Sequence, residues 1–149
     1  MGEKAKLIGI NHVALEVGDL DEALALYGRL FDFELRGRTP GMAFIDMGDQ
    51  FLALAEHADR GPDARRHFGL VVDDLEMVRE AVEAEGLEVM GSRGLTFLDP
   101  WGNQFQVVDY REIQFERTDG VKRALGIEGL EKSDDARAEI AGKGLADPA

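Results

Sequence analysis

No cysteine occurs anywhere in the chain. That excludes a disulfide framework and any thiolate metal site, and leaves imidazole, carboxylate and amide groups as the available metal donors. Basic residues are also scarce, with 17 Lys and Arg against 30 Asp and Glu, a formal net charge of −13. Nucleic-acid binding depends on Lys and Arg neutralising backbone phosphates, so nucleic acid is excluded as an expected partner. No apolar run approaches the roughly 20 residues that a membrane span needs, and the opening MGEKAKLIGINHVALEV holds no signal-like segment. The expectation is a soluble, cytoplasmic protein with no membrane partner. Hydrophobic residues make up 44% of the 149 positions, enough for one domain with a substantial core.

An internal repeat organises much of that length. HVALEVGDLDEA from His12 lies over HFGLVVDDLEMV from His67, matching His12 with His67, Leu15 with Leu70, Val17 with Val72 and Asp19 with Asp74. Further on, AFIDMGDQFLALA from Ala43 lies over TFLDPWGNQFQVV from Thr96 if one extra residue is allowed at Pro100–Trp101. Phe44 then pairs with Phe97, Gly48 with Gly102, Gln50 with Gln104, Phe51 with Phe105 and Leu52 with Gln106. A third, weaker match sets FDFEL from Phe31 over EGLEV from Glu85. Three blocks in the same order indicate a duplicated unit.

Each copy reads as strand, helix and three short strands. A strand from Gly9 to Val17 precedes a helix opened by Asp19, with Leu20, Ala23, Leu24, Tyr27 and Leu30 at helical spacing. Strands follow at Phe33–Arg38, Met42–Met47 and Gln50–Glu56, separated by the turns GRTPG and MGDQ. The second copy repeats this with a strand at His67–Val72 and a helix from Asp74 stopped by Gly86. Its last strands fall near Leu87–Gly91, Leu95–Asp99 and Asn103–Tyr110. The fold class is therefore α+β: two βαβββ modules, at about 7–56 and 64–110, within a domain spanning 1–110. Residues 111–149 form a C-terminal extension of short helices, in which Ser133 is the expected cap of the last helix.

Two histidines stand at equivalent first-strand positions of the repeat. A lone strand histidine is usually an ordinary core residue, but a pseudo-twofold brings equivalent positions together near its axis. Imidazole is also the commonest side-chain metal ligand. Period-2 alternation puts Gln104, Gln106 and Val108 on one face of the last strand and Phe105, Val107 and Asp109 on the other. Gln106 is thus a candidate third donor beside His12 and His67.

INHVALEV with DLDEALALYGRLFDF, and HFGLVVDDLE with FLDPWGNQFQVV, resemble the vicinal oxygen chelate superfamily, which includes glyoxalase I, extradiol dioxygenases and bleomycin-resistance proteins. The likeness covers about Leu7 to Tyr110. It implies a cup-shaped mixed sheet around a divalent metal ion, Zn, Ni, Mn or Fe, held by residues of the first and last strands. His12 and His67 fall on the histidine positions of that pattern, and Gln106 falls where the usual DP-x-GN-x-x-E places its carboxylate. By the sequence pairing, Leu52 occupies the symmetric position in the first copy. The resemblance further implies a small-molecule substrate and a homodimer.

Two functions follow from the resemblance. The first is a metal-dependent enzyme of lyase or isomerase type, in which the ion polarises vicinal oxygens of a small metabolite and Glu56 is the candidate catalytic base. Dioxygenase chemistry fits less well, because its facial triad requires a carboxylate. The second is a non-catalytic protein that sequesters a small molecule. There the overall negative charge favours a cationic or metal-chelating ligand.

Overall fold

The computed structural model describes residues 10, 12–48, 50–57, 59, 61–63, 66–91 and 94–146. Gly9, the expected start of the first strand, lies outside them, as does Asp49 of the MGDQ turn. Strand β1 (His12–Val17) leads to helix α1 (Leu20–Leu30), then β2 (Leu35–Thr39), β3 (Met42–Asp46) and β4 (Phe51–Glu56). The pattern recurs as β5 (Phe68–Val72), α2 (Leu75–Ala84), β6 (Val89–Met90), β7 (Leu95–Leu98) and β8 (Gln104–Asp109). Each set forms a four-stranded mixed sheet, ordered β1-β4-β3-β2 and β5-β8-β7-β6. In each, the first strand runs parallel to the last and the other pairs are antiparallel.

Local chemistry fixes the helices. Asp19 and Asp74 cap α1 and α2 by accepting from Glu22 N at 2.8 Å and Met77 N at 3.0 Å, which satisfies amides that no helical carbonyl reaches. A second carboxylate assists at each start. Glu56, at the end of β4, accepts from Leu20 N at 3.0 Å, and the Asp109 carboxylate, at the end of β8, is stabilised by the Leu75 backbone amide. A side-chain hydrogen bond from Arg111 holds the Asp109 carboxyl below its usual range, with the backbone amides of Arg111 and Leu75 adding to the effect.

Both helices pack on the same side of the sheets. Leu20, Ala23, Leu26, Tyr27 and Leu30 from α1, with Val78 and Val82 from α2, cover Leu15, Val17, Leu52, Leu54, Phe97, Phe105 and Val107 in one continuous core. Tyr27 of α1 and Phe31 just past its end reach Phe105 of the second sheet, with ring centroids 5.5 and 6.4 Å apart. Arg29 of α1 pairs with Glu85, just past α2, at 2.6 Å. The two halves thus share a core.

The turn between β7 and β8 ties them further. Buried Asp99 accepts from Tyr27 Oη at 2.6 Å, and buried Asn103 donates its Nδ2 to the carbonyl of Glu16 in β1 at 2.8 Å. Burial, and then the Asp99 charge, push the Tyr27 hydroxyl pKa far above its ordinary value. Trp101 packs on the turn after β1, because a Cβ on Gly18 would run into its indole ring. Gly102 has φ +82°, and a Cβ there would overlap the Pro62 backbone. A Gly102→Ala variant therefore bears about 1–2 kcal/mol for the left-handed backbone alone, plus the overlap. Its thermal midpoint should fall by at least about 5 °C in a melt followed by circular dichroism.

The extension carries a short 3-10 turn (Tyr110–Glu112) and two helices, α3 (Asp119–Leu125) and α4 (Asp134–Gly142). Ser133 caps α4 through Ala136 N. Arg117 donates to the Met47 carbonyl of the first half at 3.2 Å, and Val121 sits against Gly48. Lys132 is buried, and its Nζ donates to the carbonyls of Tyr110, Ile113 and Phe115 while lying 3.5 Å from the centroid of the Tyr110 ring. This one ammonium gathers the segment that joins β8 to the extension. Lys132→Met keeps the apolar stem and removes the donors. Hydrogen bonds from charged groups contribute about 1.5–3 kcal/mol each, so amide exchange over 110–116 should accelerate at least tenfold while the sheets keep their protection.

Candidate functional site

Alternation decides which side chains leave the core. On β1, Val13, Leu15 and Val17 face the helices, and His12, Ala14 and Glu16 face the other way. On β8 the burial pattern separates Phe105, Val107 and Asp109 on the helix side from Gln104, Gln106 and Val108 on the open side. His67, immediately before β5, lines a cleft of about 250 Å³ with Val13–Glu16 of β1, Asp63, Arg66 and Phe68. Phe68 and Phe105 pack ring to ring at 4.7 Å on the core side, which turns Gly69 towards the open side, across the ladder from Gln106. His12 and Gln106 therefore lie on the helix-free side of their sheets, and His67 lies at the cleft that brings β5 alongside β1.

His12 stacks on Phe51, with ring centroids 4.7 Å apart and planes at 9°. Phe44 meets Phe51 edge-on at 5.9 Å. Among the described residues nothing hydrogen-bonds the Gln106 amide, and Gln104 Oε1 is buried without a partner. Also among the described residues, no group of three His, Cys, Asp or Glu side chains is arranged to hold a metal. Two imidazoles and an unengaged amide oxygen suit a divalent ion chemically, though they bring no negative charge to offset it.

The pairings of the last two strands change once the ladders are known. Leu52 is buried on the helix side opposite Val13, the place that Phe105 holds opposite Phe68. The counterpart of Gln106 is Ala53, which lies opposite Ala14 and Phe44 as Gln106 lies opposite Gly69 and Thr96. The ladders keep one extra residue in the turn before β8 but slide the whole block by one, so that Phe44 matches Thr96 rather than Phe97, and in a strand one residue changes the face. For the same reason Phe97 and Phe105 are core, while Phe44 stands with Phe51 beside His12.

Glu56 shares the face of Leu52 and Leu54 and is engaged at the start of α1. The carboxylate on the His12 face of β1 is Glu16, which the cleft beside His67 includes. The alternation in HVALEV placed it there, four residues on from His12, but the motif reading stopped at the histidine.

Paired βαβββ sheets, with His12 opening β1 and His67 immediately before β5, define a glyoxalase-like α+β protein. The model of the glyoxalase/bleomycin resistance protein/dioxygenase superfamily matches residues 9–107, and the chain belongs to that superfamily. Metallothiol transferase FosB of Bacillus licheniformis is 26% identical over 119 residues, covering 70% of this chain and 77% of that protein. The crystal structure of lactoylglutathione lyase from Agrobacterium tumefaciens is 26% identical with a TM-score of 0.56, over 70% of this chain and 96% of that one. A mutant of the fosfomycin resistance protein FosX from Listeria monocytogenes, complexed with Mn(II) and 1S,2S-dihydroxypropylphosphonic acid, is 18% identical with a TM-score of 0.60. It covers 68% of this chain and 90% of its own, and at that identity shares the fold. No helix of the described residues is long and apolar enough to cross a membrane.

Proposed function

We propose that this chain is a divalent-metal-dependent enzyme of lyase or isomerase type, acting on a small oxygen-bearing metabolite, with His12, His67 and Gln106 as the metal-holding residues. The observation that carries it is the placement of His12 and the unengaged Gln106 amide on the helix-free side, with His67 at the cleft between β1 and β5. Kinship with a metallothiol transferase and a lactoylglutathione lyase supports the same reading. When bound, the ion supplies Lewis-acid polarisation of the substrate oxygens. The chain's own residues bind, orient and accept a proton. Phe51 orients the His12 ring by stacking, and Glu16 is the carboxylate on the same face able to take a proton. Glu56 receives no chemical role, because its oxygen serves Leu20 N.

A homodimer belongs to this reading, since a second copy would close the side on which His12, Ala14 and Gly69 are exposed. One observation favours the sequestering alternative: among the described residues no carboxylate joins the histidines in a metal-ready group. Elemental analysis of untagged protein beside a His12→Ala/His67→Ala variant decides between them.

A further inference from the structure

The ladder between β2 and β3 is interrupted between Leu35, opposite Ile45, and Gly37, opposite Phe44. Arg36 falls in that irregularity, and such bulges re-aim a side chain out of the regular alternation. Its guanidinium lies 4.5 Å from the centroid of the Phe51 ring, the same ring on which His12 stacks. Phe44 walls the patch, and Gly37 leaves space beside it. Arg36 is exposed and, among the described residues, has no carboxylate partner, whereas Arg29, Arg38, Arg79 and Arg111 each have one. In a chain carrying 30 acidic residues, a guanidinium that pairs with no described carboxylate and lies on the ring that His12 also stacks on is a local reversal of the global charge.

We propose that Arg36 selects the ligand of this face, and that the ligand is a small oxyanion, a carboxylate or phosphonate. A guanidinium presents parallel donors that match such oxyanions, and the Phe51 ring beneath holds it flat. The inference rests on the reading that the His12 face is the ligand site, and it opposes the cationic ligand that net charge alone favours.

The test titrates glycolate, hydroxymethylphosphonate and the neutral glycolamide into metal-stripped and Mn²⁺-loaded protein, followed by ligand-observed and amide NMR. At least one anion should bind tenfold or more tightly than glycolamide, and which one separates carboxylate from phosphonate. Arg36→Gln should reduce that ratio to about one, while Arg36→Lys should retain part of it. Circular dichroism should report an unchanged fold, because the residue is exposed on an edge strand. An unchanged ratio in Arg36→Gln, glycolamide binding as tightly as the anions, or no anion binding to the parent in either state overturns the inference. Arg36-dependent anion binding in protein that takes up no metal would remove the metal reading alone. Metal uptake with anion binding indifferent to Arg36 would remove this inference alone.

Discussion

If the proposed site is right, untagged parent protein should purify with stoichiometric divalent metal and a His12→Ala/His67→Ala variant without it. The chain has no cysteine, and of the proposed donors only the Gln106 amide remains once the two imidazoles are gone. A neutral amide oxygen left alone cannot offset dehydration of a divalent ion, so the loss should be complete rather than graded. Gln106→Glu tests the third position from the opposite direction. Loss of a partner that merely hydrogen-bonds a ligand typically changes metal affinity about ten- to a hundredfold, so adding a negative charge at a direct ligand should raise it at least tenfold. Thermal shifts check the same point without activity, because an ion at a hundred times its dissociation constant stabilises the folded state by about 2.7 kcal/mol. Metal-free parent protein whose melting temperature ignores Ni²⁺, Zn²⁺, Mn²⁺ and Fe²⁺ would transfer the function to sequestration. Affinity unchanged in Gln106→Glu would remove Gln106 from the donor set.

The strands, helices and caps were legible because each leaves a local signal: period-2 alternation at β8, period-3.6 spacing on α1, and Asp19, Asp74 and Ser133 at helix starts. The faces that His12 and Gln106 take were legible because alternation separates His12 from Val13 on β1 and Gln106 from Phe105 on β8. What escaped is set by contacts distant in sequence. Alternation from His12 sufficed to place Glu16 on the open side, whereas the engagement of Glu56 with Leu20 N, 36 residues away, exists only in the fold. The DPWGN turn reads as a turn in one dimension, yet Asp99 and Asn103 carry the join between halves through partners 72 and 87 residues away. Arg36 was invisible as well, since an irregularity in the ladder, rather than its place in LRGRT, aims it at Phe51.

Asp99→Ala should be the most destabilising single substitution among these, at about 3–5 kcal/mol. The buried carboxylate accepts from Tyr27 Oη at 2.6 Å, Trp101 N at 3.0 Å, and Asn103 N and Nδ2 at 2.8 Å each. Its removal strands donors that water cannot reach, and truncating one partner of a buried charged network costs that much because the other groups keep their desolvation penalty. Tyr27→Phe deletes a single donor and leaves the turn bonds intact, so about 1.5–3 kcal/mol is expected. The double variant should cost clearly less than the two separate losses together, since the lost bond is common to both. Tyr27 belongs to α1 of the first half and Asp99 to the second, so urea denaturation of these variants also asks whether the halves unfold as a unit. One cooperative transition with a lowered midpoint fits the shared core of Phe105 on Tyr27 and Phe31. Two transitions, or additive losses in the double variant, would mean that the duplicated units are held together by contacts other than this bond.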